Sequence, residues 1–279
     1  MQEAFYGGWA GSAEVKRRKK EGSKGWALGR WLAGSLPPGI IMALAGKEIK
    51  MISRDLREWS QAIYMLVVLS VGIIVPFMGR ENPFFIGDTS PLPLGIYFFF
   101  IFFTNSMLSS SLALTSLARE GKSWPLLRTS PTSNKEILYG KLLGLTPLIS
   151  FFILALTFIL TRLLGDGRFF LMAGFTLLTT PGLVAINIAA GTISPKFDAP
   201  DPRKRISIPA VLLSMLAEVG YGVVVALTIT MGGADLWLGK PSLSGLMGFL
   251  LFLGAAIASV LLSINMGAEN MDVPGFGGD

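Results

Sequence analysis

The 279-residue sequence contains no cysteine and no histidine. Their absence removes disulfides, thiol nucleophiles, imidazole bases and the usual zinc and haem ligands in one step. Charge is scarce too: 15% of residues are Asp, Glu, Lys or Arg, against 51% hydrophobic. A chain of this size with that balance cannot hide its apolar side chains inside a water-soluble globule, so a bilayer is its expected solvent. Membrane-embedded catalysis would then need paired carboxylates or a serine with a lysine. Neither pattern occurs: Asp166 and Asp235 stand at the ends of apolar runs, and the serines at 106 and 109–111 have no lysine within their helix. Enzymatic chemistry is not expected of this chain.

What the sequence does have is a series of long uncharged runs. Crossing about 30 Å of hydrocarbon at roughly 1.5 Å per residue takes about 20 residues, and six runs are long enough: 59–79, 94–117, 142–161, 169–193, 206–234 and 241–268. Only the fifth contains an acidic or basic side chain, Glu218. Twenty of the 24 Lys and Arg fall on one side of this arrangement. Basic flanks resist translocation, so both termini are expected in the cytoplasm, with the chain a multi-pass protein of the plasma (inner) membrane. The same bias accounts for the net charge of +6, and no nucleic-acid partner is needed to explain it.

The expected fold is therefore an all-α membrane protein with six transmembrane helices preceded by a cytoplasmic amphipathic interfacial helix. Its parts are a basic cytoplasmic segment (1–39), the interfacial helix (40–58), the six-span domain (59–268) and a cytoplasmic tail (269–279). In the interfacial helix Ile41, Ala45, Ile49, Ile52, Leu56 and Trp59 recur every three or four residues, with Lys47, Lys50, Arg54 and Arg57 opposite. That pattern places an apolar stripe in the acyl boundary and cations at the headgroups. The outer loops are too short to hold a receptor or catalytic domain.

The loop between the second and third spans is the most structured. Gly121, Lys122 and Ser123 suggest a phosphate-binding loop, but G-x-x-x-x-G-K-[ST] requires a glycine where Ser116 stands, and an apolar helix precedes it instead of a strand. Ser123 can cap a short helix opening at Trp124 and Pro125, which Pro131 ends. Ser133 and Glu136 then form a capping box that opens the helix running into the third span.

The run "LAREGKSWPLLRTSPTSNKEILYGKLL", "GTISPKFDAPDPRKRIS" after the fourth span and "KEIKMISRDLREWSQ" before the first together resemble the membrane subunits of ABC-2-type ATP-driven exporters. The matched positions are Glu120, Gly121, Lys122, Trp124, Leu126, Leu127, Ser130, Pro131 and Lys141, then Gly191, Pro195, Lys196, Phe197 and Asp198. The closest pattern is the second half of permeases with about twelve spans, so the chain is expected to be a half-size subunit or a fragment of a longer permease. The resemblance implies a permease subunit that forms a translocation path, binds no cofactor itself, and leaves ATP and Mg to a separate cytoplasmic ATPase. It implies that residues 119–131, with Arg128 beside the matched positions, contact that ATPase. Trp124, Leu126 and Leu127 would either fill a groove on the partner or fold back onto the span ends.

Three expectations concern the bilayer itself. Glu218 sits near the midplane, protonated or paired with Asn187 or Asn105, in either a transport role or a plain helix contact. Pro181 and Gly182 bend the fourth span. Gly220, Gly222, Gly245, Gly248, Gly254 and Ala258 allow close helix approach, within the bundle or to a second copy or second six-span half. Rival functions are a proton-coupled carrier or channel using Glu218, and a membrane scaffold without transport.

Overall fold

The computed structural model describes residues 39–54, 60, 63–64, 67, 91–163, 169–193, 195–197, 206–230 and 242–273. Among these residues the chain is all-helical. In chain order the helices are α1 (Ile40–Arg54), α2 (Pro91–Ala113), α3 (Trp124–Arg128), α4 (Asn134–Leu163), α5 (Phe169–Gly191), α6 (Ile208–Thr228) and α7 (Leu243–Met271). A 3-10 segment, Ala118–Ser123, leads into α3. Among the described residues five stretches are long and apolar enough to cross a membrane: Phe98–Gly121, Asn134–Ile159, Phe169–Gly191, Ile208–Thr228 and Leu243–Met271. They correspond to five of the six expected spans. The expected first span, 59–79, lies largely outside the described residues, as do Leu56, Arg57 and Trp59.

Helix α5 is the hub, packing against α2, α4, α6 and α7. It is buried along most of its length, with Phe175, Leu183, Val184 and Ile188 among its core residues. Phe175 tilts against Phe98 of α2 and stacks on Phe252 of α7, at ring-centroid distances of 4.6 and 5.9 Å. Close approach depends on Gly182, where an added Cβ would lie 2.4 Å from Ser259 Oγ and 2.8 Å from Tyr221 Oη. Pro181 lies inside α5, which runs through it as one helix. Proline supplies no N–H to the preceding turn, and the hydroxyls of Thr176, Thr179 and Thr180 each donate to a carbonyl four residues back.

By contrast α6 and α7 turn broad apolar faces outward, exposing Leu212, Leu216, Val219 and Val223 on one and Leu246, Leu250, Ile257 and Leu261 on the other. Of the small residues expected to matter there, Gly245 and Gly248 are buried. Gly222 faces the Phe102 ring, whereas Gly220 and Gly254 face open space.

The loop elements depart from the sequence reading in detail. The reciprocal cap at α4 forms: Ser133 N–H donates to Glu136 Oε2 at 2.8 Å and Glu136 N–H to Ser133 Oγ at 3.3 Å. Ser123 makes no cap for α3. Its hydroxyl turns back to the Glu120 carbonyl at 2.7 Å, because the 3-10 turn brings that oxygen closer than any free amide of α3. Helix α3 also stops at Arg128, before Pro131 can end it.

Candidate functional site

Helix α1 docks on α4 through two glycines one turn apart. A Cβ on Gly140 would stand 2.5 Å from Leu44 Cβ, and one on Gly144 would stand 2.8 Å from Glu48 Cβ and 2.9 Å from the Ala45 carbonyl. Only glycine leaves room for the backbones to meet so closely. The buried side of α1 is therefore Ala45, Glu48 and Ile52. Ile49, assigned by periodicity to the apolar stripe, is 42% exposed. The helix turns a mixed face onto a neighbouring helix, and its burial follows the glycine groove.

This docking assembles a buried ionic cluster. Lys141, on α4 between the two glycines, is 2% exposed. Its ammonium donates to Glu48 Oε1, to Glu120 Oε1 at 2.8 Å and to the Ser116 carbonyl at 2.9 Å. All three ammonium hydrogens thus have acceptors, which is what makes a buried lysine tolerable. Lys47 of α1 pairs with the other Glu120 oxygen. Arg119 places Nη1 3.8 Å from Glu48 Oε2 and donates through Nη2 to the Leu112 carbonyl at 2.8 Å. Three cations and two carboxylates from α1, the 3-10 turn and α4 neutralise one another to within a single charge.

The opening of that turn depends on one unusual residue. Gly121 has φ 51° and ψ −130°, a left-handed φ that glycine adopts readily. It breaks the helical path between Glu120, directed into the cluster, and Trp124. The Trp124 ring is buried and stacks on Phe197 at 5.2 Å and 12°. Of the two expectations for this aromatic, the structure shows the fold-back. Leu127 packs against the core while Leu126 is 74% exposed, so the exposed surface of α3 is Pro125, Leu126, Arg128 and Thr129. Ser130 Oγ donates to the Leu127 carbonyl and lies 2.6 Å from Thr132 Oγ1. Pro195 and Lys196 lie in the segment that carries Phe197, Lys196 exposed and Pro195 half-buried. Asp198 lies outside the described residues. The backbone of Gly121, Lys122 and Ser123 lies in a 3-10 turn with no strand before it, so these residues do not form the strand-loop-helix arrangement of a P-loop.

A second polar group sits within the helices. Glu218 of α6 is 6% exposed and receives hydrogen bonds from Ser106 Oγ of α2 at 2.6 Å and from Asn187 Nδ2 of α5. Asn187 Oδ1 accepts from Ser214 Oγ at 2.7 Å. The other asparagine, Asn105, turns away from Glu218 to Thr180 Oγ1 at 2.8 Å and Thr179 Oγ1 at 3.3 Å. Three helices are thereby cross-linked by satisfied polar side chains. Among the described residues no group of His, Cys, Asp or Glu could hold a metal ion.

Sequence reasoning missed the ionic cluster, though Lys141 and Glu120 were among the matched motif positions. The signal was present: Glu48 falls three and four residues from Ala45 and Ile52, on the side that must pack, and Lys141 sits inside G-K-L-L-G. An acid and a base, each on a packing face, point to each other.

Comparison with known families finds a match. A family model described as "Putative ATP-binding cassette" covers residues 1–263, and the chain belongs to this family. A search of the curated proteins found no match. The family finding corrects the reading drawn from resemblance. It names an ATP-binding cassette where an ABC-2-type permease was expected, so the exporter-subunit function is withdrawn together with its carrier and scaffold rivals. The expectation that the chain is not an enzyme, and that ATP and Mg belong only to a partner, is overturned on the same ground. That expectation rested on the missing phosphate-binding motif, on the lack of paired carboxylates or a serine with a lysine, and on the resemblance itself, whereas the family model matches residues 1–263 together.

Proposed function

We propose that this chain is a membrane-embedded member of an ATP-binding-cassette system in which α1, the 118–128 turn and the start of α4 form one rigid joint at the charged end of the bundle. The observation that carries this reading is Lys141, whose single ammonium ties α1 and the turn to α4 from a site closed to water. A displacement imposed on the exposed surface of α3 would pass through Glu120 into α1 and α4, and from α4 into the α5 hub. Membrane embedding is supported by the apolar outer faces of α6 and α7, larger than a water-exposed surface sustains. A sixth span at 59–79, an interfacial placement for the outer side of α1 and cytoplasmic termini complete the proposed topology. Gly254 and Ala258, four residues apart on the open side of α7, leave room for a second copy.

The chain has no cysteine, so paired spin labels can be attached at Ser53→Cys and Thr129→Cys with no native cysteine to remove first. In full-length protein reconstituted in nanodiscs, one rigid joint gives one narrow distance distribution, unchanged by ATP. Separation of the two labels on adding ATP would refute the joint. The family match also supports nucleotide binding by this chain itself; saturable binding of labelled ATP to the same preparation tests it, and its absence would remove the nucleotide from this chain's part in the system.

A further inference from the structure

The stretch that follows α5 is tied to four other elements within a few residues. Gly191, the last residue of α5, abuts the end of α2: an added Cβ would lie 2.4 Å from the Leu114 carbonyl oxygen. Thr192 Oγ1 accepts from Asn270 Nδ2, near the end of α7, at 3.1 Å. The Ile193 carbonyl accepts from the hydroxyl of Ser207, the residue before α6, at 3.1 Å. Phe197 then stacks on Trp124 of α3. None of these contacts involves Lys141, Glu48 or Glu120.

Gly121 keeps the two sets of contacts apart. Glu120, just before it, enters the ionic cluster, and Trp124, three residues after it, turns to Phe197. A Cβ on Gly121 would stand 3.5 Å from the Phe197 carbonyl oxygen, an ordinary contact. What the glycine supplies is therefore its left-handed φ of 51°, not space. From this arrangement we infer that Trp124 and Phe197 form a second joint, mechanically separable from the Lys141 cluster, through which α3 is held to the ends of α5, α6 and α7. The two joints differ in kind. Lys141 is fixed by directed bonds to three acceptors, whereas rings stacked at 12° hold by area and dispersion and have no bond to break on sliding. A displacement of α3 thus divides at Gly121, one part passing through Glu120 to α1 and α4 and the other through Phe197 to α5, α6 and α7. The inference deepens the rigid-joint reading and rests on it for the first joint only.

The test attaches spin labels in pairs at Ser53→Cys on α1, Leu126→Cys on α3 and Ile208→Cys at the start of α6, all three positions being exposed. In full-length protein in nanodiscs each pair should give one narrow dipolar distance distribution. In Phe197→Ala, Leu126 should lose its narrow distribution to both other labels, while Ser53–Ile208 keeps its own. In Lys141→Met, or in Lys141→Met/Glu48→Leu if the single variant does not fold, Ser53 should lose its narrow distribution to both others. Leu126–Ile208 should then stay narrow. Phe197→Tyr retains the ring and should match the parent; Phe197→Leu fills much of the space without a stacking plane and should behave as Phe197→Ala, which it replaces if alanine unfolds the protein. A narrow Leu126–Ile208 distribution in Phe197→Leu, even with a lowered thermal midpoint, would overturn the second joint. A broad one in Lys141→Met would overturn its separability. If ATP moves Ser53 from Thr129 in the parent while Leu126–Ile208 stays narrow, the first joint falls and the second stands.

Discussion

Removing the Lys141 ammonium is the sharpest perturbation the structure offers. In Lys141→Met the aliphatic stem keeps its place, but Glu48 and Glu120 lose their shared partner while remaining buried. Lys47 still serves Glu120 and Arg119 still lies near Glu48, yet neither replaces a fully enclosed ammonium. Breaking a buried pair from one side costs about 3–5 kcal/mol, because a carboxylate is left without compensation. Glu48→Leu alone should cost a similar amount, as it strands positive charge. The double variant removes both members of the innermost pair and leaves Glu120 with Lys47. It should therefore lose less than the sum of the two single losses, with a coupling of about 1–3 kcal/mol in a double-mutant cycle. The assay is equilibrium unfolding in mixed micelles, read by tryptophan emission. Strictly additive losses, or a Lys141→Met loss below about 1 kcal/mol, would refute the claim that this ion pair joins α1 to the bundle.

Three further outcomes follow from packing. Gly144→Ala puts a methyl where Glu48 Cβ and the Ala45 carbonyl already stand, so α1 should shift at a cost of about 1–3 kcal/mol; amide exchange in α1 should quicken, and unchanged exchange would refute the glycine groove. Trp124→Ala opens a cavity against Phe197 and should lower stability by about 3–5 kcal/mol, whereas Trp124→Phe should recover most of it; an alanine variant with a normal thermal midpoint would contradict the fold-back. Glu218→Leu leaves Ser106 and Asn187 without their acceptor and should cost about 2–3 kcal/mol, while Glu218→Gln keeps an acceptor for Asn187 and should stay within about 1 kcal/mol of the parent. Equal losses in the two Glu218 variants would show that volume, not hydrogen bonding, fixes that position.

The length and location of α4 to α7 were legible because long uncharged runs have few other solutions, and the runs at 142–161 and 169–193 each lie close to an observed helix. The α4 cap was legible because Ser133 and Glu136 need only each other. What stayed hidden depends on partners distant in sequence. Periodicity put Ile49 on an apolar stripe of α1 directed to the acyl boundary, whereas Gly140 and Gly144 select Ala45, Glu48 and Ile52 as the side that packs, and nothing within 40–58 reveals where those glycines lie. Trp124 illustrates the same limit: a lone aromatic on a polar loop is compatible with a partner's groove or with its own chain, and only Phe197, 73 residues onward, decides. The pairing of Glu218 with Asn187 was within reach because few polar groups occur inside apolar spans. Ser106 as its second partner was not, since several serines share that helix.

Lys47 and Lys141 share Glu120, and magnitudes decide which of them holds the joint. Its side chain is 39% exposed, against 2% for Lys141. An ion pair with one partner in water contributes about 0–1 kcal/mol, while a fully enclosed pair costs several to break. Losing the Lys47 pair, as in Lys47→Met, should therefore cost at most about 1 kcal/mol, because Glu120 keeps Lys141. Separating α1 from the 118–128 turn requires breaking the contacts of Lys141 itself, and a Lys47→Met loss as large as that of Lys141→Met in the same unfolding assay would contradict this.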